Sequence, residues 1–297
     1  MKDDELKESG TAKKELDLNT QNSYVQSNDM VRAKFSNKLT LLGQKLIRIA
    51  IANIDSVKDD QFFTYKVKLS ELADLLEIKD SKNIYRDVKK AAQEVSSTVI
   101  GVENKKKYGS FVYYPMFQSF HYDEGSGYVT IRFNAEMRRF LLQLSEQFTQ
   151  VKLEQILFFN HKYSIKILEL LTMEKYKSPN KVDGQTKLGS KTLDYGHREV
   201  TLTIDEIRKA TDTEKTFKQI GQLKDKVLRP AFEDIEKYSG YHCELHDIKE
   251  GRKIVAFQID MWLNAAWNIN QTKKGQVPGQ VNLFELGLEN TESKNTK

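Results

Sequence analysis

Apolar positions along this chain follow two rhythms that alternate. Over residues 37–55, "NKLTLLGQKLIRIAIANID", apolar side chains return every three or four positions, which predicts a long amphipathic helix. In "FFTYKVKL", Phe63, Tyr65, Val67 and Leu69 alternate with their neighbours, the period of a half-buried strand. "SELADLLEI" then predicts a short helix with Ser70 as its N-cap. After the turn "KDS", "KNIYRDVKKAAQEV" sets Tyr85, Val88, Ala92 and Val95 at helical spacing. "STVIGVE" and "SFVYYPMFQSFHY" read as strands around the basic turn "NKKKYG", and "YVTIRF" follows the turn "DEGSG".

The second half repeats this order. Helices "KLEQILFFN" and "YSIKILELLTMEKY" lead to residues 177–197, a loop rich in Gly, Ser, Lys and Asn. The strand "REVTLT" ends in Thr203, which with Glu206 forms a capping box for "IDEIRKAT". After the turn "DTE", Phe217, Ile220, Leu223, Val227, Ala231, Ile235 and Tyr238 form one apolar stripe, predicting a long helix. "YHCELHDI", "KEGRK" and "IVAFQIDMW" complete a hairpin. Helix, strand, short helix, turn, longer helix and hairpin is the order of a winged helix-turn-helix. Two copies predict an α+β chain of two tandem winged helix-turn-helix domains with disordered N- and C-terminal tails. The expected bounds are a tail over 1–23, domains over 24–148 and 149–267, and a flexible tail over 268–297.

Charge sharpens this picture. Residues 215–229 hold five basic side chains and one acid, while 233–236 hold three acids and no base. A helix prefers the reverse, because its N-terminal end carries partial positive charge. In a helix-turn-helix, however, the second helix offers its N-terminal residues to the major groove, where phosphates and base edges favour cations and amides. Lys215, Lys218, Gln219, Gln222, Lys226 and Arg229 are therefore candidate DNA contacts. Lys82, Asn83, Arg86, Lys89 and Lys90 are their counterparts in the first domain. Lys105, Lys106 and Lys107 crowd one hairpin turn and Lys249, Arg252 and Lys253 the other, as wing tips that track phosphates would.

Composition bounds the rest. At 297 residues, 39% hydrophobic and 30% charged, the chain can bury two cores. A net charge of +5 is only mildly basic, so anion binding must come from local patches. Cys243 is the single cysteine, which fits a reducing cytoplasm, and the charged N-terminal residues carry no apolar signal segment. The stretch "LLGQKLIRIAIANI" is too short and too charged to span a membrane, so no membrane partner is expected. None of the five histidines forms the His-hydrophobic-His triplet of strand-nicking initiators. His242 and His246 would lie about 13 Å apart along a strand with Cys243 facing away, so the three cannot share a zinc ion. With no Gly-Lys-Ser/Thr phosphate loop either, the expectation is a protein without enzymatic activity, cofactor or metal.

The segments "VRAKFSNKLTLLGQKLIRIAIANI", "FTQVKLEQILFFNHKYSIKILELL" and "FKQIGQLKDKVLRPAFEDIEKYS" resemble the iteron-binding plasmid replication initiator (Rep) family. The resemblance covers roughly residues 31–262. It implies monomers bound to directly repeated double-stranded origin DNA, origin melting with the host replication initiator and helicase, and a homodimer that represses its own promoter. It also implies that the second domain supplies the main base readout and the first mediates dimerisation. Pro230 interrupts the long helix and should kink or restart it; the family commonly has proline there. In the C-terminal tail, "QVNLF" resembles the peptide by which bacterial proteins dock on the DNA polymerase sliding clamp, with Gln280, Leu283 and Phe284 as contacts. Packing of Leu283, Phe284 and Leu286 back on the second domain is the alternative. A transcriptional regulator without initiator activity is the competing reading for the whole chain; a nicking enzyme or an RNA binder fits less of the sequence.

Overall fold

The computed structural model describes residues 13–35, 39–76, 81–103, 110–123, 127–175, 186–188, 191–193 and 197–263. The chain divides into two compact units, one of residues 1–153 with 209–212, the other of 154–208 with 213–297.

The first unit opens with β1 (Lys13–Glu15), β2 (Ser23–Ser27), α1 (Asn28–Arg32) and β3 (Lys34–Phe35). Helix α2 (Leu41–Ile51), strand β4 (Thr64–Lys68), and helices α3 (Leu69–Leu75) and α4 (Ser81–Ser96) follow. Strands β5 (Val99–Glu103), β6 (Phe111–Pro115), β7 (Phe117–Asp123) and β8 (Tyr128–Phe133), helix α5 (Arg138–Leu141) and strand β9 (Phe148–Lys152) complete it. The main sheet runs β1–β4–β8–β7, β3–β5–β6 form a second sheet, and β2 pairs with β9. Alternation along β4 and β8 turns Tyr65, Val67, Val129, Ile131 and Phe133 inward, all buried. Leu46 and Ile49 of α2, Leu72 of α3 and Val88 of α4 meet Val67, Val129 and Ile131 around one small apolar centre.

Leu16 lines that same centre. The tail expected over 1–23 is therefore corrected for residues 13–23: β1 adds to β4 as a parallel strand, and Asp17 N–H donates to Asn53 Oδ1. Residues 1–12 lie outside those described. Helix α3 begins one residue before Ser70, so Lys68 holds the cap position and makes no side-chain capping bond. The expected single strand "SFVYYPMFQSFHY" is two strands in different sheets, β6 on β5 and β7 on β8.

The second unit holds α6 (Glu154–Leu157), α7 (Ser164–Lys175), β10 (Thr186–Leu188), β11 (Lys191–Leu193) and β12 (Arg198–Thr203). After α8 (Ile204–Ala210) and α9 (Ile220–Leu223), a π-helical turn over Lys224–Leu228 runs into α10 (Arg229–Ser239). The hairpin of β13 (Tyr241–Glu250) and β14 (Lys253–Leu263) ends it. Strand order β12–β14–β13 places the first strand beside the third, the same order as β4–β8–β7. Helix α7 is buried along nearly its whole length and covers an ion pair between Lys166 and Glu169 (3.6 Å). The loop expected over 177–197 contains the β10–β11 hairpin. Pro230 stands in the first turn of α10, directly after the π-helical turn in which Arg229 N–H bonds back to Lys224 O. The proline's missing donor thus falls where the helix already changes its bonding register, and the helix restarts there.

Candidate nucleic-acid interface

In both units the third helix of the winged-helix core (α4 in the first unit; α9, the π-helical turn and α10 in the second) caps the first helix of that core (α2 or α7). Thr40 is the N-cap of α2 and accepts from Gly43 N–H, while Glu94 Oε2 of α4 accepts from both Thr40 N–H (3.0 Å) and Thr40 Oγ1 (2.8 Å). At the start of α7, Asp234 Oδ2 of α10 accepts from Asn160 N–H (3.0 Å), His161 N–H (2.7 Å) and Ser164 Oγ (2.6 Å). A carboxylate belongs at a helix N-terminus, where unpaired N–H groups collect. The acids late in the third helix have a fold-building task, which leaves the cations to its early half.

The helix-turn-helix of the second unit is built from α8, the following turn and α9. Thr203 and Glu206 form the expected capping box, with Glu206 Oε2 accepting from Thr203 N–H at 2.9 Å and Glu206 N–H donating to Thr203 Oγ1 at 3.1 Å. The long helix begins later than its apolar stripe suggests. Gln219 is the N-cap position and Ile220 the first helical residue, so Lys215 and Lys218 stand in the turn and not on the helix. Phe217 has φ 50°, a left-handed backbone that ends the stripe at Ile220. Its ring meets Tyr163 edge-on at 6.5 Å between centroids.

One side chain holds this turn. Arg208 Nη1 donates to Thr213 O (3.0 Å) and Thr216 O (2.9 Å), and Nη2 donates to Phe217 O (2.8 Å) and Lys218 O (3.1 Å). Around it, Lys215, Lys218, Gln219, Gln222, Lys226 and Arg229 are all exposed. On the helix, Gln222, Lys226 and Arg229 stand three or four residues apart, opposite buried Leu223, Val227 and Ala231. Arg229 pairs with Asp225 at 3.3 Å, an exposed contact of small energetic weight. Lys224 turns away from this face and grips Asp247 of β13 at 2.6 Å, tying the helix to the hairpin.

The hairpin tip is a tight turn at Gly251, with φ 60°, and Lys249, Arg252 and Lys253 around it are exposed. In the first unit, Arg86, Lys89 and Lys90 are exposed on α4 opposite buried Val88, Ala91, Ala92 and Val95. Arg86 Nε also pairs with Asp87 at 3.1 Å. Lys82 and Asn83 lie in the first turn of α4, and their side chains are outside those described. Strand topology corrects the first wing. The hairpin equivalent to β13–β14 is β7–β8, with the turn "DEGSG", whereas the turn holding Lys105, Lys106 and Lys107 joins β5 to β6 in the other sheet. Those three lysines, and Gln280, Leu283 and Phe284, fall outside the described residues.

Sequence reasoning missed Arg208, Glu94 and Asp234. Glu94 and Asp234 act on helix ends distant in sequence, and Arg208 on main-chain carbonyls of an irregular turn five to ten residues on; no residue pattern marks such partners. The strand histidines also find acidic partners, from α10 for His242 and from β14 and its own strand for His246. His242 Nδ1 meets Glu236 at 2.7 Å, and His246 Nε2 meets Asp260 at 3.4 Å and Glu244 at 3.9 Å. The ligand atoms of Glu244, His246 and Asp260 all lie within 4.8 Å of one another, a grouping that strand spacing alone hides because Asp260 arrives from β14. Burial pushes the Cys243 thiol up to about 12, with Glu236 adding to the shift, which leaves it a poor nucleophile. Among the described residues, no helix is long and apolar enough to cross a membrane.

Two units that share the strand order β4–β8–β7 and β12–β14–β13, each with short and long helices before a hairpin, define a tandem winged-helix protein. Residues 23–172 match the family described as Initiator Replication protein, WH1, and residues 203–261 match Initiator Rep protein, WH2. The first match alone takes in half of the chain, and the chain belongs to this replication initiator family. A replication initiation protein of Escherichia coli is 25% identical over 228 residues, 75% of this chain and 63% of that protein. The chain therefore spans less than two thirds of that relative's length. Among solved structures, the Pi initiator protein in complex with iteron DNA superposes with a TM-score of 0.63 at 18% identity, covering 83% of this chain and 99% of that one. At this identity the likeness is one of fold.

Proposed function

We propose that this protein initiates plasmid replication by binding directly repeated origin DNA, without chemistry of its own on the strands. The observation that carries the reading is the exposed cationic and amide face formed by Lys215, Lys218, Gln219, Gln222, Lys226 and Arg229 along the turn before α9 and the helical stretch that follows it. Membership of the replication initiator family supports it, as does the fold shared with an initiator described in complex with iteron DNA. Helix α9 supplies base readout and the β13–β14 tip follows phosphates, while α4 of the first unit supplies a second contact. Opening of the duplex then recruits the host initiator and helicase, and the "QVNLF" segment is a candidate for the sliding clamp.

The first unit also offers a surface for a second copy. Strand β6 is an edge of its sheet among the described residues, and Phe111, Val112 and Tyr113 on it are 43%, 42% and 65% exposed. Unpaired strand backbone beside aromatic side chains suits another extended strand, so the homodimer that represses its own promoter would form here. Protection mapping on plasmid DNA flanking the gene tests the main reading. Evenly spaced protected repeats, with unwinding of the supercoiled plasmid, are expected. Binding at a single promoter site without unwinding would instead make the protein a transcriptional regulator.

A further inference from the structure

Four main-chain carbonyls from Thr213, Thr216, Phe217 and Lys218 converge on the Arg208 guanidinium, at 2.8–3.1 Å. Peptide oxygens repel phosphate, so a turn that is to meet DNA gains from having them drawn inward. The guanidinium draws them in and leaves a positive charge beneath the turn. It also supports the left-handed Phe217, a conformation costly for a bulky residue unless its surroundings enforce it. Side-chain capping at the start of α9 is lacking, since Gln219 makes no capping bond, so the approach to the helix depends on the turn.

We propose that Arg208 is a positioning residue for origin recognition: it preorders residues 213–219 so that Lys215 and Lys218 meet phosphates in fixed register. The proposal rests on the origin-binding function above. A planar guanidinium offers five donors in a fixed fork, enough for all four carbonyls, whereas an ammonium offers three on a flexible stem, so lysine at 208 would keep the charge and lose the geometry.

The test uses the full chain and a DNA fragment carrying the segment that wild type protects. R208K, with wild-type circular dichroism, should bind that fragment at least about tenfold more weakly. Its dependence of log affinity on log salt should be shallower by about 0.9 for each phosphate it no longer neutralises. Folded R208K that binds within twofold of wild type with an unchanged salt slope would overturn the assignment. Hydrogen exchange of the free wild-type chain serves even if R208K does not fold. The Thr213 and Thr216 amides, bonded at 2.9 and 3.1 Å inside the turn, should be protected before DNA is added. Exchange at the rate of an unstructured peptide would refute preordering. If wild type protects no DNA at all, the origin-binding reading falls and takes this assignment with it; wild-type binding beside an indifferent R208K removes the assignment alone.

Discussion

Gly221 sits in the first turn of α9, where glycine costs stability and nothing in the fold asks for it. A Cβ placed there would meet no atom within 4 Å, and the backbone is not left-handed. Alanine at this site should raise stability by about 0.5–1 kcal/mol through helix propensity. If the duplex lies against this turn, the same methyl group would obstruct it. Gly221→Ala should therefore melt higher and bind origin DNA more weakly; a higher melting temperature with unchanged affinity would move the duplex elsewhere. Lys215 and Lys218 make the complementary case. Both are exposed, so replacing both with alanine should leave the melting temperature nearly unchanged. The salt slope of binding should fall by about 1.8, two phosphates' worth at about 0.9 each. Titration at three salt concentrations measures it.

At the scale of elements, the third helix of each unit divides its labour along its length. Its early half is given to cations, and a carboxylate further on caps the first helix. Asp234 collects three hydrogen bonds at the start of α7 and is itself buried. Asp234→Ala should lower stability by about 2–3 kcal/mol, since a charged acceptor and its buried donors all lose their partner; thermal unfolding followed by circular dichroism reads this directly. Glu94→Ala should cost about 1 kcal/mol, because its two bonds to Thr40 are exposed. These helices and strands were legible in the sequence, because burial on one face repeats at 3.6 or 2 residues and leaves that period in the residue types. The capping box at Thr203 and Glu206 was legible because both partners sit three residues apart. Strand order was not. Nothing between Pro115 and Phe117 says that the chain leaves one sheet for another, so the basic turn at 105–107 read as a wing. Nor does a phenylalanine announce a left-handed backbone, which is why the stripe ran on through Phe217 and placed Lys215 and Lys218 on the helix.

For the whole molecule, two winged-helix units give the proposed function two candidate recognition helices and, in β6, a candidate surface for a second chain. Each unit has its own core, so losses from the two DNA faces should combine independently. Neutralising Arg86, Lys89 and Lys90 together should weaken the binding free energy by an amount that adds to the loss from Lys215 and Lys218 within about 0.5 kcal/mol, read by titration of the two variants and their combination. Self-association is separable from both. Gly101 lies opposite Tyr113 across β5 and β6, and a Cβ on it would stand 2.9 Å from the ring, so the glycine gives the aromatic room beside the sheet. The Tyr113 ring and its neighbour Phe111 stack at 6.5 Å while remaining open to water. Exposed aromatics of this kind are seldom kept on a lone chain unless something covers them. Phe111→Lys with Tyr113→Lys adds two charges to the edge strand, a substitution that blocks strand pairing and barely touches the core. Sedimentation equilibrium should show dimers of the wild-type chain and monomers of the double variant at the same concentration. Because the resemblance to Rep initiators implies that directly repeated sites are taken by monomers, the variant should bind repeats as well as wild type or better while losing repression of its own promoter. A variant that stays dimeric would place the dimer contact on another face, and one that loses both repeat binding and repression would tie β6 to DNA.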